Sequence, residues 1–213
     1  MKIFCIHHTP LTERKNYLLG SPINGYCRFV ETYDHEMTYV KCETEWNKRS
    51  IGLYPELPQY RELKHGDIDC FNKHCHALNM ISDYHPFGMI IEDDAIISDT
   101  FFEDVKKAFK HYDSWDVLFV GGAFHHNIAE TIGENEDLYY KGHPASNTTC
   151  AYIIKQLPAA KILMYFSLMG YVLPIDFEFN YIMQKLDLKV AHLKNYCVKE
   201  GSSIGVYKGS QVR

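Results

Sequence analysis

The chain has no long apolar run. The longest in its 213 residues is only a few positions, too short for a membrane-spanning helix. Basic residues are not in excess. The 22 Lys and Arg face 27 Asp and Glu, a formal charge of −5, whereas a nucleic-acid binder usually carries a basic surplus. No Cys-x-x-Cys occurs. The seven cysteines (Cys5, Cys27, Cys42, Cys70, Cys75, Cys150 and Cys197) are odd in number and scattered. Such a set argues against a disulfide framework and for free thiols, so a reducing, cytoplasmic location is expected. The opening run up to His8 is too short for a secretory leader's apolar core, and no small-residue cleavage site follows. Asn147-Thr148-Thr149 matches a glycosylation acceptor and, without a leader, carries little weight. Repeats and low-complexity stretches are absent too.

What is present is an ordinary globular balance, 46% apolar and 23% charged. The length suits one domain, 1–213, able to bury a sizeable core. Only two Trp occur, but 16 Tyr and 12 Phe supply rings for a core or for stacking on a base or sugar.

Short apolar runs predict strands at 3–6, 36–41, 87–91, 116–120, 149–154 and 188–193. Between them, apolar residues at three- and four-residue steps predict helices at 12–19, 67–82, 101–109, 158–166 and 176–186. Asp67, Asp99 or Thr100, and Asp176 are the expected N-caps. Gly52, Pro55 and Pro58 make 50–60 a loop, Gly121-Gly122 reads as a turn, and 123–140 reads as a long polar loop. Strands alternating with amphipathic helices indicate an α/β fold on a mostly parallel mixed sheet. Ligands of such sheets bind beyond the carboxyl ends of the strands.

One strand exit stands out. Phe87-Gly88-Met89-Ile90-Ile91 runs directly into Glu92-Asp93-Asp94. Adjacent carboxylates beside a buried strand repel one another and are costly to desolvate. A divalent cation removes that cost, and hard oxygen ligands suit Mn²⁺ or Mg²⁺. The plainer reading is a solvated turn. Cys70 and His74 share a helix face at i, i+4, but no second ligand pair at zinc-finger spacing follows them.

The segment Ile90-Ile91-Glu92-Asp93-Asp94-Ala95 resembles the Asp-x-Asp-type motif of glycosyltransferase family 25, the lipopolysaccharide and collagen galactosyltransferase group. Four further segments fall in that family's order. Met1-Lys2-Ile3-Phe4 with Thr12-Glu13-Arg14-Lys15 resembles its opening strand and Arg-containing turn. Gly66-Asp67-Ile68-Asp69-Cys70-Phe71-Asn72-Lys73-His74 resembles its "GEIGCALSH" segment, with Asn72-Lys73 in place of the usual Ser before His. Thr149-Cys150-Ala151-Tyr152-Ile153-Ile154, then Ala159-Ala160 and Ile162-Leu163, is similar to another of its stretches. Pro174-Ile175-Asp176 resembles its later "pvD" element. The chain is short for the family. Its length would suit the first domain of a longer polypeptide, as in the chlorella-virus capsid-glycosylating enzymes.

The resemblance implies a GT-A-type domain that transfers a sugar from a UDP-sugar donor to a glycan or glycoprotein acceptor, with Mn²⁺ or Mg²⁺ bridging the diphosphate. It makes Asp94 the direct metal ligand and Glu92 a water-mediated ligand or ribose contact, with Asp93 either on the donor or only orienting the turn. His192, at the end of a late strand, becomes a third metal ligand, unless 199–203 closes over the phosphates instead. His7, His8 and Thr9 fall where such folds place the nucleobase. Arg14 and Lys73 are candidates for the phosphates, Arg14 through its fork of donors, and Asn72 lies beside Lys73. Asp176 becomes a catalytic candidate for acceptor activation, alongside its plain reading as a helix cap. Two other classes remain open on the residues alone. One is a different metal-dependent phosphate-handling enzyme; the other is a non-catalytic sugar- or nucleotide-binding module.

Overall fold

A computed structural model describes residues 1–51, 60–122, 130–146 and 148–207. The expected loop centred on 52–59, the first part of the expected 123–140 loop, Asn147 of the acceptor pattern and the last six residues lie outside the described set.

In chain order the elements are β1 (Lys2–Ile6), α1 (Thr12–Leu19), β2 (Cys27–Val30), α2 (Glu43–Ser50), α3 (His65–Tyr84), β3 (Phe87–Glu92), β4 (Ala95–Ile97), α4 (Phe101–Phe109), β5 (Val117–Phe119) and β6 (Gly121–Gly122). There follow β7 (Thr131–Glu134), β8 (Leu138–Lys141), β9 (Ala151–Lys155), α5 (Gln156–Met169), α6 (Ile175–Lys185), β10 (Val190–Leu193) and β11 (Val198–Glu200).

Eight strands form one sheet in the order β2-β1-β3-β9-β5-β10-β8-β7, and β4-β11-β6 form a small second sheet. β1 is parallel to β2 and β3, and β10 to β5. β9 runs antiparallel between β3 and β5, and β8 antiparallel between β10 and β7. Six of the eight strands therefore point one way, with β9 and β8 reversed. This is the α/β class and the mostly parallel mixed sheet expected from the sequence.

Side chains alternate across a strand, and both faces of this sheet are covered. Phe4, Ile6, Ile90 and Tyr152 join Phe71, Leu78 and Ile81 of α3, Phe166 of α5 and Phe179 of α6 in one core. Ile3, Cys5, Met89, Ile91 and Ile153 join Leu18 of α1 and Phe101, Val105 and Ala108 of α4 in the other. Burial on both faces is why these strands read as continuous apolar runs. Phe71 stacks on Tyr171 with centroids 3.6 Å apart and meets Phe166 edge-on at 5.0 Å. Truncating Phe71 to Ala would cost about 3–5 kcal/mol.

Several local expectations are corrected. The 36–41 segment is no strand and makes only a single bridge, Tyr39 to Tyr171. From 130 onward, the expected loop contains the β7–β8 pair instead. Gly121-Gly122 is no turn but β6; a Cβ on Gly121 would meet Val198 and Ala151 at 2.8–2.9 Å, so the glycine permits close strand packing. Asp67 is not the N-cap of α3 but its third residue, where its carboxylate accepts the Lys64 backbone N–H at 2.8 Å. Asp176 likewise is not the N-cap of α6, which is Pro174. A carboxylate in a first helical turn is stabilised by the helix dipole, and Asp67 also makes the return bond of a capping box.

Candidate functional site

Ile6 and Glu92 are register partners at the carboxyl ends of β1 and β3. Their continuations, His7-His8-Thr9 and Asp93-Asp94, therefore leave the sheet side by side. Here a cavity of about 310 Å³ opens, where the crevice of an α/β sheet is expected. His7, His8, Thr9 and Arg14 line it on one side and Glu92, Asp93 and Asp94 on another. Lys73 and Cys70 of α3 line it as well, as do Glu200 and Ser202, which stand beside Asp94.

Asp93 locks the two exits together. Its carboxylate accepts hydrogen bonds from the backbone N–H of His8 at 2.9 Å and from Arg14 at 2.8 Å, and pairs with His7 Nδ1 at 2.9 Å. Burial alone would raise its pKa, but the bonds from His7, His8 and Arg14 outweigh that and hold it below the usual range. The acid expected on the donor is thus committed inward. Arg14 is largely buried, tied to Asp93, and has the Tyr207 ring 4.9 Å from its guanidinium carbon. The Lys73 ammonium, also buried, donates to the His7 carbonyl at 2.9 Å and to Asp69 at 2.6 Å.

Asp94 differs. Its Oδ2 accepts the Ser202 hydroxyl at 2.5 Å and the Ser202 N–H at 3.3 Å, and its carbonyl accepts Gly201 N–H at 2.8 Å. Its Oδ1 is buried with no hydrogen-bond partner among the described residues. A bare carboxylate oxygen of this kind, with Glu200 lining the same cavity, suits a hard cation. The 199–203 segment is thus tied to the acidic exit through Gly201 and Ser202.

Glu92 turns the other way. Its Oε1 accepts the Thr149 hydroxyl at 2.7 Å and stands 3.4 Å from His74 Nε2. The same hydroxyl lies 2.5 Å from Asp176 Oδ1, which also accepts the Thr149 N–H at 3.1 Å. Burial, then the charge of Asp94, push Glu92 up to about 8 against the Thr149 bond. Burial, then Glu92, push Asp176 up to about 6. Burial pushes His74 down to about 4. Asp176 does not line the cavity; it meets Glu92 through Thr149.

Besides Asp176, two further expected residues do not line the cavity. Asn72 is fully buried, accepting Met37 N–H at 2.7 Å and donating to the Ile68 carbonyl at 3.0 Å, so it braces the 36–41 segment rather than a donor. The buried His192 ring spends Nε2 on the Ala145 carbonyl at 2.7 Å and Nδ1 on the Tyr196 hydroxyl at 2.5 Å, leaving no nitrogen for a metal. Thr149, Ser202 and Glu31, which lines the cavity and pairs with Lys15 at 2.8 Å, were missed as individual site residues. No spacing rule singles them out, because each reaches the site through strand pairing or a turn.

No protein-family model and no curated protein matches the chain. Among solved structures it is similar to A197 from STIV (13% identity, TM-score 0.45, 91% of this chain and 82% of that one). It is also similar to an apo UDP-glucose pyrophosphorylase (9%, 0.44, 95% and 76%). A third is a putative nucleotide-diphospho-sugar transferase from Desulfovibrio desulfuricans G20 (15%, 0.40, 91% and 80%). Likenesses this loose fix no activity, which has to rest on the site's own geometry.

Proposed function

We propose that the chain is a metal-dependent glycosyltransferase that moves a hexosyl group from a UDP-sugar to a hydroxyl of a glycan or glycoprotein. The supporting observation is the unpartnered, buried Oδ1 of Asp94 in a cavity that also holds two cations, Arg14 and Lys73. Asp94 would hold Mn²⁺ or Mg²⁺, with Glu200 the nearby second acid; His192 does not fit as a ligand. The metal supplies positive charge to the departing diphosphate. Arg14 and Lys73 add fixed positive charge in a partly dry site, where it counts for more than in water. Asp93 keeps Arg14 in place, and His8 and Thr9 present the exit of β1 to the base. Asp176 acts at one remove, by holding Thr149 and through it Glu92.

A thermal-shift screen of UDP, GDP, ADP and CMP, each with and without Mn²⁺, tests this reading. A ligand at a hundred times its Kd adds about 2.7 kcal/mol, or about 5–10 °C in Tm for a chain of this size. UDP with Mn²⁺ should stabilise most, and UDP should then be released from a UDP-sugar. A clear GDP preference, or UDP binding indifferent to Mn²⁺, would overturn the assignment.

A further inference from the structure

Beside the acidic exit stand two side chains of α3 that the sugar-nucleotide reading does not use. Cys70 and His74 stand one turn apart on α3, and the fold brings Glu92 of β3 against them. The Cys70 thiol sulfur, a ring nitrogen of His74 and a carboxylate oxygen of Glu92 all lie within 4.8 Å of one another. From sequence alone the Cys-His pair lacked further ligands. The missing oxygen donor comes from another element 18 residues downstream of His74.

An independent observation points to a ligand. His74 is fully buried and its Nδ1 faces the Tyr152 hydroxyl at 3.1 Å. Its Nε2 is left without a hydrogen-bond partner among the described residues, 3.4 Å from Glu92 Oε1. An imidazole with one nitrogen oriented by a polar neighbour and the other bare is arranged as metal-bound histidines are. Tyr152 also lies nearly parallel to the ring, at 7°, and Thr149 fixes Glu92 at 2.7 Å. Both side chains of the outer layer are therefore already in place.

We propose that Cys70, His74 and Glu92 form a binding site for a divalent cation of the zinc class, separate from the hard-cation site at Asp94. Thiolate, imidazole and carboxylate together suit a borderline ion such as Zn²⁺ rather than Mn²⁺ or Mg²⁺. Three protein ligands leave a fourth position open. Because Cys70 and Glu92 line the cavity, water or a bound molecule would reach that position from it. Closing ligand atoms from 4.8 Å onto one ion requires only side-chain rotation and small shifts.

The test is a Co²⁺ titration of chelator-stripped protein, read by absorption, with no nucleotide present. Wild type should take up one equivalent with a thiolate-to-metal charge-transfer band. Cys70→Ser should abolish the band, and Asp94→Asn should keep it, which separates this site from the one proposed for Mn²⁺. A measurement on wild type alone guards against a misfolded variant. Cys27, Cys42 and Cys70 are all partly accessible, so each should be alkylated in the stripped protein. Zn²⁺ should cut labelling of Cys70 at least tenfold and leave Cys27 and Cys42 unchanged, as peptide mapping would show. No charge-transfer band, a band that survives Cys70→Ser, or equal labelling of Cys70 with and without Zn²⁺ would overturn the proposal. Failure of UDP to bind would leave these readouts untouched.

Discussion

Glu92 and Asp176 share a single hydroxyl. Thr149 Oγ1 stands 2.7 Å from one carboxylate and 2.5 Å from the other, yet a hydroxyl has one hydrogen to donate. The second carboxylate meets a lone pair unless it carries a proton of its own. Burial supplies that proton, with the charge of Asp94 acting on Glu92 and that of Glu92 on Asp176, raising the two acids to about 8 and about 6. The pair therefore belongs to the protein's proton balance as well as to its site.

Stability of the chelated, metal-free protein should fall as pH rises. Both acids bind protons more tightly folded than unfolded, where they titrate near 4.5 and 3.8. Their contribution is complete below about pH 4, and is lost as pH rises through about 6 for Asp176 and about 8 for Glu92. The loss is on the order of a few kcal/mol. Tm measured from pH 5 to pH 8.5 should decline, and Glu92→Gln should remove most of the decline. An unchanged slope in Glu92→Gln would place the titrating group elsewhere.

Asp176→Asn should affect transfer only modestly. The side chain is not among those lining the cavity, and it reaches Glu92 through Thr149. Asn keeps an oxygen able to accept from Thr149, so turnover of a UDP-sugar should drop less than about tenfold. A proton acceptor at the reacting hydroxyl would instead be worth roughly 10²–10⁴. A hundredfold loss of turnover with unchanged UDP affinity would restore Asp176 as the base.

Asp93→Asn should unfold the protein more readily. Asp93 and Arg14 are both nearly buried, 2.8 Å apart, and His7 and the His8 backbone depend on the same carboxylate. Removing the charge strands a buried guanidinium, at a cost of about 3 kcal/mol. A urea denaturation midpoint lowered at constant m-value is the expected result. A change below about 0.5 kcal/mol would mean that Arg14 finds water or another partner.

The parts of the fold legible in the sequence were those made by burial. β1, β3, β5, β9 and β10 are covered on both faces, so each left an apolar run, and α3 and α4 left clear apolar rows. β2 buries only Val30 of its four residues, and β11 is three residues held by pairing with β4 and β6. Neither leaves a pattern, because tertiary pairing rather than side-chain burial makes them strands. At the site, the exits of β1 and β3 were legible because the sheet topology forces them together. For Asp93 the sequence left a donor contact and a turn-orienting acid both open, since only the packed Arg14 and His7 separate a structural acid from a ligand. His192 had the right residue type at a strand end, and only the Ala145 carbonyl and Tyr196 hydroxyl reveal that its nitrogens are taken.

Asp94→Asn gives the sharpest contrast with Asp93. The substitution keeps the side chain's shape and an oxygen acceptor, and Ser202, which donates to Oδ2, can still find it. It removes a charge that stands beside Glu92 and raises that residue's pKa. Relief of this repulsion should leave the metal-free protein as stable as wild type or more so. The bare Oδ1 loses its full negative charge, and with it most of its grip on a hard cation. The Mn²⁺-dependent part of UDP stabilisation should therefore vanish, and UDP-sugar turnover should fall at least a hundredfold. Calorimetric titration of Mn²⁺ in the presence of UDP, run beside the melting curves, checks both halves. Full Mn²⁺ dependence in a stable Asp94→Asn protein would show that the bare oxygen is no ligand, and the acidic exit of β3 would then be a turn.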